Sequence, residues 1–341
     1  MTATTPVTSA GEPLHVETLP SLPGLSGLYA RGAASSGRIA AARALPGGMG
    51  GSRQGGDGED AGAVTLPAVA YRVSGVKTAS LAPHLRDYQR LVHELALDVL
   101  PAGYLHVLAF PLATAVMVRG DFPLPLLGMV HLSNVVEQRG PVHLGDRLEV
   151  RAWSENLRPH RRGVQVDLVA EVRTDTGGAE SDQPVWRGVS TYLAKGFHVP
   201  DTGEAAASSA ESPQDEDRTP QGTWMPPMPT GRWALGPGTG RAYGAVSGDR
   251  NPIHMSALAA KAFGFPRAIA HGMYTASRAL ADVGHQRGDA FRWSVEFGKP
   301  VLLPGTVDVA VTPRDDGPGY TYAGWSARSR QKYFEGAVTP L

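Results

Sequence analysis

The feature that most constrains the fold is an order of helices and strands that occurs twice in the chain. In the first half, two apolar segments, Pro83 to Leu100 and residues 105–119, have helical character and precede a series of strands. In the second half, helices predicted at Pro252–Phe263 and Gly272–Val283 also precede strands. Because order and spacing agree, the sequence predicts one unit present twice, an antiparallel sheet wrapped around a helix. The predicted strands are 69–73, 126–136, 146–154, 164–173 and 185–193, and then 291–297, 306–312, 320–329 and 333–339.

Two short segments also echo one another between the halves. Leu105-His106-Val107-Leu108-Ala109 is similar to Ala270-His271-Gly272-Met273-Tyr274. Residues 140–146, Gly-Pro-Val-His-Leu-Gly-Asp, are similar to residues 299–305, Lys-Pro-Val-Leu-Leu-Pro-Gly. This pairing predicts that His106-Val107 stands in the first half where His271-Gly272 stands in the second.

The composition of residues 201–222 marks a boundary between the two units. The segment is acidic, rich in Ser, Ala and Pro, and without large apolar side chains, so it cannot bury enough surface to order itself. We therefore predict a first domain at 67–200, a disordered linker at 201–222 and a second domain at 223–341.

Residues 1–66 are predicted to be an N-terminal extension that is partly flexible. The Gly-rich stretch 47–58 is typical of a loop or tail, and ordered structure is expected to start near Leu66. The stretch from Leu25 to Leu45 is less polar, which indicates a short helix or strand that docks on the main body.

Charge and cysteine content exclude several classes of function. Lys+Arg and Asp+Glu are both 32, so no nucleic acid or anionic membrane is expected as a partner. A simpler interpretation than nucleic-acid binding is available for the basic run Arg158-Pro159-His160-Arg161-Arg162. It either forms a solvated loop at the end of a hairpin or contacts the phosphates of the acyl carrier. The absence of cysteine removes disulfides and thiolate catalysis and fits a cytoplasmic location. No secretory signal and no run of 18 apolar residues is visible.

The segment Ser247-Gly248-Asp249-Arg250-Asn251-Pro252-Ile253-His254 carries the chemistry. Asn251 is a favoured N-cap and Pro252 a favoured first helical residue, so His254 lies in the first turn and Asp249 just before the cap. The field at a helix N-terminus favours an ionised Asp249 and disfavours a protonated His254. Such a pair is suited to hold and deprotonate one water, although turn-and-cap residues alone also explain the pattern.

A second element, Ala270-His271-Gly272-Met273, begins the following helix. The backbone N–H of Gly272 would point outward at the helix N-terminus, and the absent Cβ allows a ligand to approach closely. It is a candidate oxyanion donor for a thioester carbonyl. A glycine kept for packing between helices is an equally good interpretation.

These motifs together resemble the signature of the MaoC-like dehydratases, the type-2 enoyl-thioester hydratases. The resemblance covers residues 230–340 and includes Lys299-Pro300-Val301 followed by Pro304-Gly305. It implies an α+β fold of two tandem hotdog domains, each a long central helix wrapped by an antiparallel β-sheet. It also implies that Asp249 and His254 are the catalytic residues, that the Gly272 amide binds the thioester carbonyl, and that Ser247, Gly248, Asn251 and His271 support them.

The first half lacks this signature, which predicts a hotdog that has lost its site. No Asp-x-Asn-Pro-x-His occurs there, and Val107 would crowd the approach that Gly272 permits. The apolar segment Val107 to Leu112 would then line the acyl tunnel, unless it is plain core.

The expected activity is reversible hydration of trans-2-enoyl thioesters to (R)-3-hydroxyacyl thioesters linked to CoA or acyl carrier protein, in fatty-acid or polyketide metabolism. No cofactor is required, and scattered histidines without His-x-His or His-Glu-x-x-His spacing predict no metal. Lys261 or Arg267 are candidates for the tunnel mouth. A monomer that mimics the dimer of hotdogs and a homodimer are both allowed. The alternatives are a hotdog acyl thioesterase and a non-catalytic acyl-binding or assembly subunit.

Overall fold

The computed structural model describes residues 6–44, 64–175, 183–198 and 224–341, so the predicted linker and the Gly-rich stretch 47–58 lie outside the described residues. The helices are α1 (Leu25–Ala44), α2 (Ala82–Val92), α3 (Ala102–Met117), α4 (Thr239–Ser247), α5 (Pro252–Met255), α6 (Ala257–Ala262) and α7 (Gly272–Val283). The strands are β1 (His15–Thr18), β2 (Val69–Lys77), β3 (Val130–Gln138), β4 (Arg147–His160), β5 (Gly163–Thr174), β6 (Trp186–Lys195), β7 (Gly231–Leu235), β8 (Phe291–Phe297), β9 (Gly305–Pro313), β10 (Tyr320–Ser326) and β11 (Lys332–Pro340).

One sheet of eleven strands contains both predicted units. Its order is β1-β2-β4-β5-β6-β3-β8-β11-β10-β9-β7. Leaving aside β1 of the N-terminal extension, the first strand of each half is followed across the sheet by that half's third, fourth, fifth and second strands, which confirms the duplication. The halves join where β3 pairs antiparallel with β8, from Ser133 opposite Glu296 to Gln138 opposite Phe291.

A central helix packs on each half of the sheet. α3 is buried along most of its length and lies against β4 and β5, with Leu105 and Leu112 fully buried. α7 lies against β9, β10 and β11 through Ala276 and Leu280 among others. Burying a leucine side chain is worth about 1.5–3 kcal/mol, so these two helices anchor the cores. In the described part of the chain, no helix is both long and apolar enough to cross a membrane.

Two predicted helices differ from expectation, since one ends early and the other is interrupted. α2 stops at Val92 rather than Leu100, because His93 adopts the left-handed conformation with φ 61° and its N–H bonds back to Gln89. The helix predicted from Pro252 to Phe263 is two pieces, since Ser256 is extended with φ −150°. The Ser256 hydroxyl accepts the Ala259 N–H at 3.1 Å and so caps α6.

The N-terminal extension is more ordered than predicted. β1 pairs in parallel with β2, from His15 opposite Val69 to Thr18 opposite Arg72, so the expectation that order starts near Leu66 is wrong. The expectation that the stretch from Leu25 docks on the body is confirmed, as a helix of 20 residues. Its buried side chains Leu25 and Leu28 pack against Ala115 of α3.

The hydrogen-bond register identifies which residues of the two halves correspond. The Leu100 N–H donates to Val142 at 2.7 Å, and the Ala270 N–H donates to Val301 at 2.9 Å. The predicted correspondence of residues 140–146 with 299–305 is therefore confirmed.

The same register corrects the predicted partner of His271. Counting on from Leu100 and Ala270, Pro101 and Ala102 occupy the positions of His271 and Gly272. The pairing with His106-Val107 is wrong, because His106 lies inside α3, one turn beyond its start. The similarity of Leu105–Ala109 to the second half was one of residue type and not of position.

The basic run in the first half lies at the end of a hairpin, as predicted. β4 ends at His160 and β5 begins at Gly163, so Arg161 and Arg162 form the turn. Arg158 binds the carboxylate of Asp167 across the hairpin at 3.0 Å.

Candidate active site

A tight turn between α4 and α5 positions Asp249. Gly248 ends α4 in the left-handed conformation with φ 73°, which favours glycine because it has no Cβ. The Ser247 hydroxyl accepts the Asp249 N–H at 3.1 Å, and Asp249 Oδ1 accepts the Asn251 N–H at 3.0 Å. Asn251 in turn caps α5 by accepting the Ile253 N–H at 3.4 Å. These predicted supporting residues therefore shape the loop that carries Asp249.

The imidazole of His254 is held in one orientation by its neighbours. His254 Nδ1 lies 2.9 Å from the carbonyl oxygen of Ile269. A carbonyl can only accept, so the neutral ring carries its proton on Nδ1 and keeps Nε2 as an acceptor. The His271 ring stacks on His254 with centroids 3.7 Å apart, and His271 Nε2 donates to the backbone oxygen of Asp249 at 3.0 Å.

The three side chains converge on one point. A carboxylate oxygen of Asp249 and one ring nitrogen each of His254 and His271 all lie within 4.8 Å of one another. A water that bridges two groups lies about 2.8 Å from each, so one water can span this separation. The structure thus brings the predicted pair together at the start of α5.

Within the described ranges this trio is also the one group of side chains with metal-ligand chemistry. Three of its polar atoms are engaged in hydrogen bonds, since His254 Nδ1 faces Ile269, His271 Nε2 faces the Asp249 backbone, and Asp249 Oδ1 accepts from Asn251. Among the described residues, the other ring nitrogen of His271, Nδ1, is buried and has no hydrogen-bond partner.

Burial sets the protonation states of the trio. Burial lowers the pKa of His254 below its ordinary value, against the opposing charge of Asp249. Burial, with His254 adjacent, lowers the pKa of His271 to about 3. For Asp249, burial acts to raise the pKa, whereas positive charge on His271 and His254 and the hydrogen bonds from Tyr29 and Asn251 act to lower it, and the pKa is lowered overall. At neutral pH the site therefore holds a carboxylate and two neutral imidazoles, as the sequence predicts for Asp249 and His254.

Gly272 begins α7, so its N–H has no partner within its own helix. The packing interpretation of this glycine also has support. A Cβ at Gly272 would lie 2.9 Å from Cε1 of the Phe297 ring, which is too close. A methyl at Gly272 would therefore press on the Phe297 ring as well as stand beside the N–H.

Replacing Gly272 by alanine is expected to lower stability by about 1–3 kcal/mol, because the added methyl forces the Phe297 ring to move. We also expect turnover to fall, because the methyl lies where a carbonyl must approach the N–H. The double variant Gly272→Ala/Phe297→Leu separates the two effects when urea unfolding and turnover are both measured. The double variant should recover stability but not turnover. Recovery of both would show that Gly272 serves only the packing of Phe297.

Residues from outside the predicted motifs also approach the site. Tyr29 of α1 donates its hydroxyl proton to Asp249 Oδ1 at 2.5 Å. The charge of Asp249 also acts on two residues of the first half. It opposes the lowering of the His106 pKa by burial, and it adds to the raising of the Tyr192 pKa by burial. These contacts join positions far apart in sequence, and the only signal was the modest apolar character of the stretch that contains Tyr29.

A cavity in the first half is lined in part by His106, Ala109, Phe110, Trp186 and Tyr192. Of this segment, Ala109 and Phe110 line the small cavity, and the acyl tunnel itself stays a prediction. Leu112 at its end is fully buried core instead.

The first half carries different residues at the positions of the loop that holds Asp249. His93 ends α2 in the left-handed conformation as Gly248 ends α4, so Glu94 corresponds to Asp249. The buried Glu94 carboxylate is bound by Arg287 at 2.9 Å. The Glu94 carboxylate is thus engaged by an arginine, whereas Asp249 has His254 and His271 beside it, which agrees with the predicted loss of the site.

Replacing Arg287 by methionine is expected to lower the free energy of unfolding by about 3 kcal/mol, because Glu94 is left as an uncompensated buried charge. Adding Glu94→Gln should recover part of the loss. Close to Glu94 in sequence, Arg90→Met breaks an exposed pair with Asp87 and should cost less than about 1 kcal/mol. Urea unfolding of the parent and the three variants tests this, and equal losses for Arg287→Met and Arg90→Met would contradict it.

Comparisons with known proteins agree with this geometry. Residues 220–319 match the family model described as MaoC like domain. The 3-hydroxyacyl-thioester dehydratase X of Mycobacterium tuberculosis is 38% identical over 217 residues, which are 64% of this chain and 71% of that protein. The crystal structure of HtdX of the same organism superposes with a TM-score of 0.65 at 31% identity, covering 80% of this chain and 100% of that chain. A MaoC-like dehydratase from Phytophthora capsici, 18% identical, shares the fold with a TM-score of 0.56 over 80% of this chain and 95% of that chain. The predicted double-hotdog fold is confirmed, and the chain belongs to the MaoC-like dehydratase family as a hydro-lyase.

Proposed function

We propose that the second half catalyses the reversible hydration of trans-2-enoyl thioesters to (R)-3-hydroxyacyl thioesters, with Asp249 and His254 as the catalytic pair. The observation that carries the proposal is an ionised carboxylate and a neutral imidazole whose polar atoms lie within 4.8 Å of each other, close enough for one water to bridge them. The name of the Mycobacterium tuberculosis relative, a 3-hydroxyacyl-thioester dehydratase, supports the same reaction in reverse.

The reaction places each charge near a group that stabilises it. The thioester carbonyl accepts the Gly272 N–H, and Asp249 with His254 holds one water beside C3. As the water oxygen bonds to C3, one of its protons passes to the pair, the C2=C3 electrons move toward the carbonyl, and a proton is delivered to C2. The negative charge on the carbonyl oxygen is met by the amide at the start of α7. Dehydration runs through the same groups in reverse.

The acyl carrier is CoA or an acyl carrier protein, both of which are anionic. Lys261 and Arg267 are exposed in and beyond α6, close in sequence to the catalytic helix, and remain the candidates for the mouth of the site. The acyl chain is proposed to extend toward the first half past His106 and Phe110, where the cavity has room for about one water and its lining side chains would have to move apart. The substrate would then lie across both halves, with chemistry supplied by the second.

The test is loss of the absorbance of the conjugated enoyl thioester with crotonyl-CoA and longer enoyl-CoA substrates, followed by chiral analysis of the product. The proposal expects an (R)-3-hydroxyacyl thioester and no free thiol. Release of CoA thiol from a saturated acyl-CoA would indicate a thioesterase. Binding of acyl-CoA without turnover would indicate a non-catalytic acyl-binding subunit.

A further inference from the structure

α1 brings a polar side chain to the catalytic carboxylate from outside both repeats. The Tyr29 hydroxyl donates to Asp249 Oδ1 at 2.5 Å, a short distance typical of a hydrogen bond to a charged acceptor. The same oxygen accepts the Asn251 N–H at 3.0 Å. Two donors therefore engage Oδ1, and Oδ2 faces His271 Nε2 at 3.6 Å and the gap between the side chains.

Packing along one side of α1 fixes where Tyr29 lies. Leu25 is so close to Gly248 that a Cβ on that glycine would lie 2.7 Å from its side chain. One turn beyond Tyr29, Gly32 leaves room for the Leu126 side chain in the same way. The Ser36 hydroxyl then accepts the Leu127 N–H at 3.2 Å. α1 therefore packs against both the turn that carries Asp249 and the first half of the chain.

The hydrogen bond has an electrostatic consequence for the Asp249 carboxylate. Burial acts to raise the pKa of Asp249 and so to neutralise it. Since burial also keeps His254 and His271 uncharged at neutral pH, they give little help to the carboxylate there. The donors Tyr29 and Asn251 then remain to favour the ionised form. Burial raises the pKa of Tyr29 far above its ordinary value, so the phenol keeps its proton and stays a donor.

We propose that Tyr29 is a positioning residue for the hydration reaction: its hydroxyl binds Asp249 Oδ1, keeps the carboxylate ionised and leaves Oδ2 free to hold the reacting water. This rests on the proposed role of Asp249. It assigns a function in the site to the N-terminal extension, which lies outside both hotdogs. The hydroxyl acts through Asp249 and need not touch the substrate.

The test is the Tyr29→Phe variant of the full chain, which keeps the ring and removes only the donor. We expect kcat for crotonyl-CoA hydration to fall about 10- to 100-fold with KM little changed, because one charge-assisted hydrogen bond is lost. Removing a donor to the carboxylate raises the pKa of Asp249. The acid limb of the kcat/KM profile should therefore move to higher pH.

Tyr71→Phe is the matched control. Tyr71 packs beside Leu25 and Leu28 under α1, and its hydroxyl accepts from Arg119 at 2.9 Å rather than binding Asp249. This variant should keep the kcat and the acid limb of the parent enzyme. Its turnover shows the effect of removing a tyrosine hydroxyl beside α1 that does not bind Asp249.

Two results would overturn the proposal while leaving the proposed function intact. One is a Tyr29→Phe enzyme with parental kcat and acid limb. The other is a fall in kcat with an unmoved acid limb, or one matched by Tyr71→Phe, which would make Tyr29 a packing residue. Absence of hydration by the parent protein is a separate outcome, because it removes the proposed function before any variant is compared.

Discussion

The Asp249→Asn and His254→Ala variants are each expected to hydrate crotonyl-CoA at least 100-fold more slowly than the parent enzyme. An acid–base group positioned on a reacting water typically contributes about 10²–10⁴ in rate. Asn keeps the shape of Asp249 but cannot take a proton, and alanine removes the Nε2 acceptor that the Ile269 carbonyl leaves free on His254. Steady-state turnover by loss of enoyl-thioester absorbance measures both.

Two exposed residues of the same types provide matched controls. Asp289 and His285 lie in the exposed segment that follows α7. Asp289→Asn and His285→Ala should keep turnover within about twofold, since surface changes away from special features rarely matter. Retained activity in both Asp249→Asn and His254→Ala would contradict the assignment of the pair.

The protein is expected to lose about 4 kcal/mol of stability between pH 7 and pH 5.5, a large part of the 5–15 kcal/mol typical of a domain. Burial lowers the pKa of His106 to about 4, that of His131 to about 3 and that of His271 to about 3, from the ordinary 6.5. Below pH 6.5 these histidines are protonated in the unfolded chain but stay neutral in the folded chain, so the free energy of unfolding falls. Each histidine contributes about 1.4 kcal/mol per pH unit down to its folded pKa.

Urea unfolding at intervals from pH 8 to pH 5 measures this dependence. His106→Phe should reduce the slope by about 1.4 kcal/mol per pH unit in the acid range, because one buried titrating group is removed. His15→Gln changes an exposed histidine and should leave the slope unchanged. A free energy of unfolding that is flat from pH 7 to pH 5.5 would contradict the prediction.

Local sequence rules located the loop that carries Asp249 and His254 well. Asn251 and Pro252 start α5 and Gly272 starts α7 where capping chemistry places them, and α7 ends at Val283 as predicted. These features depend on residues a few positions apart, which sequence patterns describe directly. They sufficed to predict that Asp249 and His254 face the same point.

Contacts between distant segments could not be predicted. Tyr29 contacts Asp249 across 220 positions of sequence, and no residue pattern near Tyr29 indicates that contact. The pairing of His106 with His271 failed because it matched residue types, whereas the backbone bonds at Leu100 and Ala270 set the register. The helix predicted through Leu100 failed because His93 adopts a left-handed conformation that its sequence does not demand.

The most direct test of the site is a crystal structure of the Asp249→Asn variant with crotonyl-CoA bound. The thioester oxygen should accept the Gly272 N–H at about 3 Å, and C3 should face one water held beside His254 Nε2 and the substituted side chain. An acyl group whose carbonyl lies away from Gly272, or whose C3 is out of reach of a water on His254, would contradict the account.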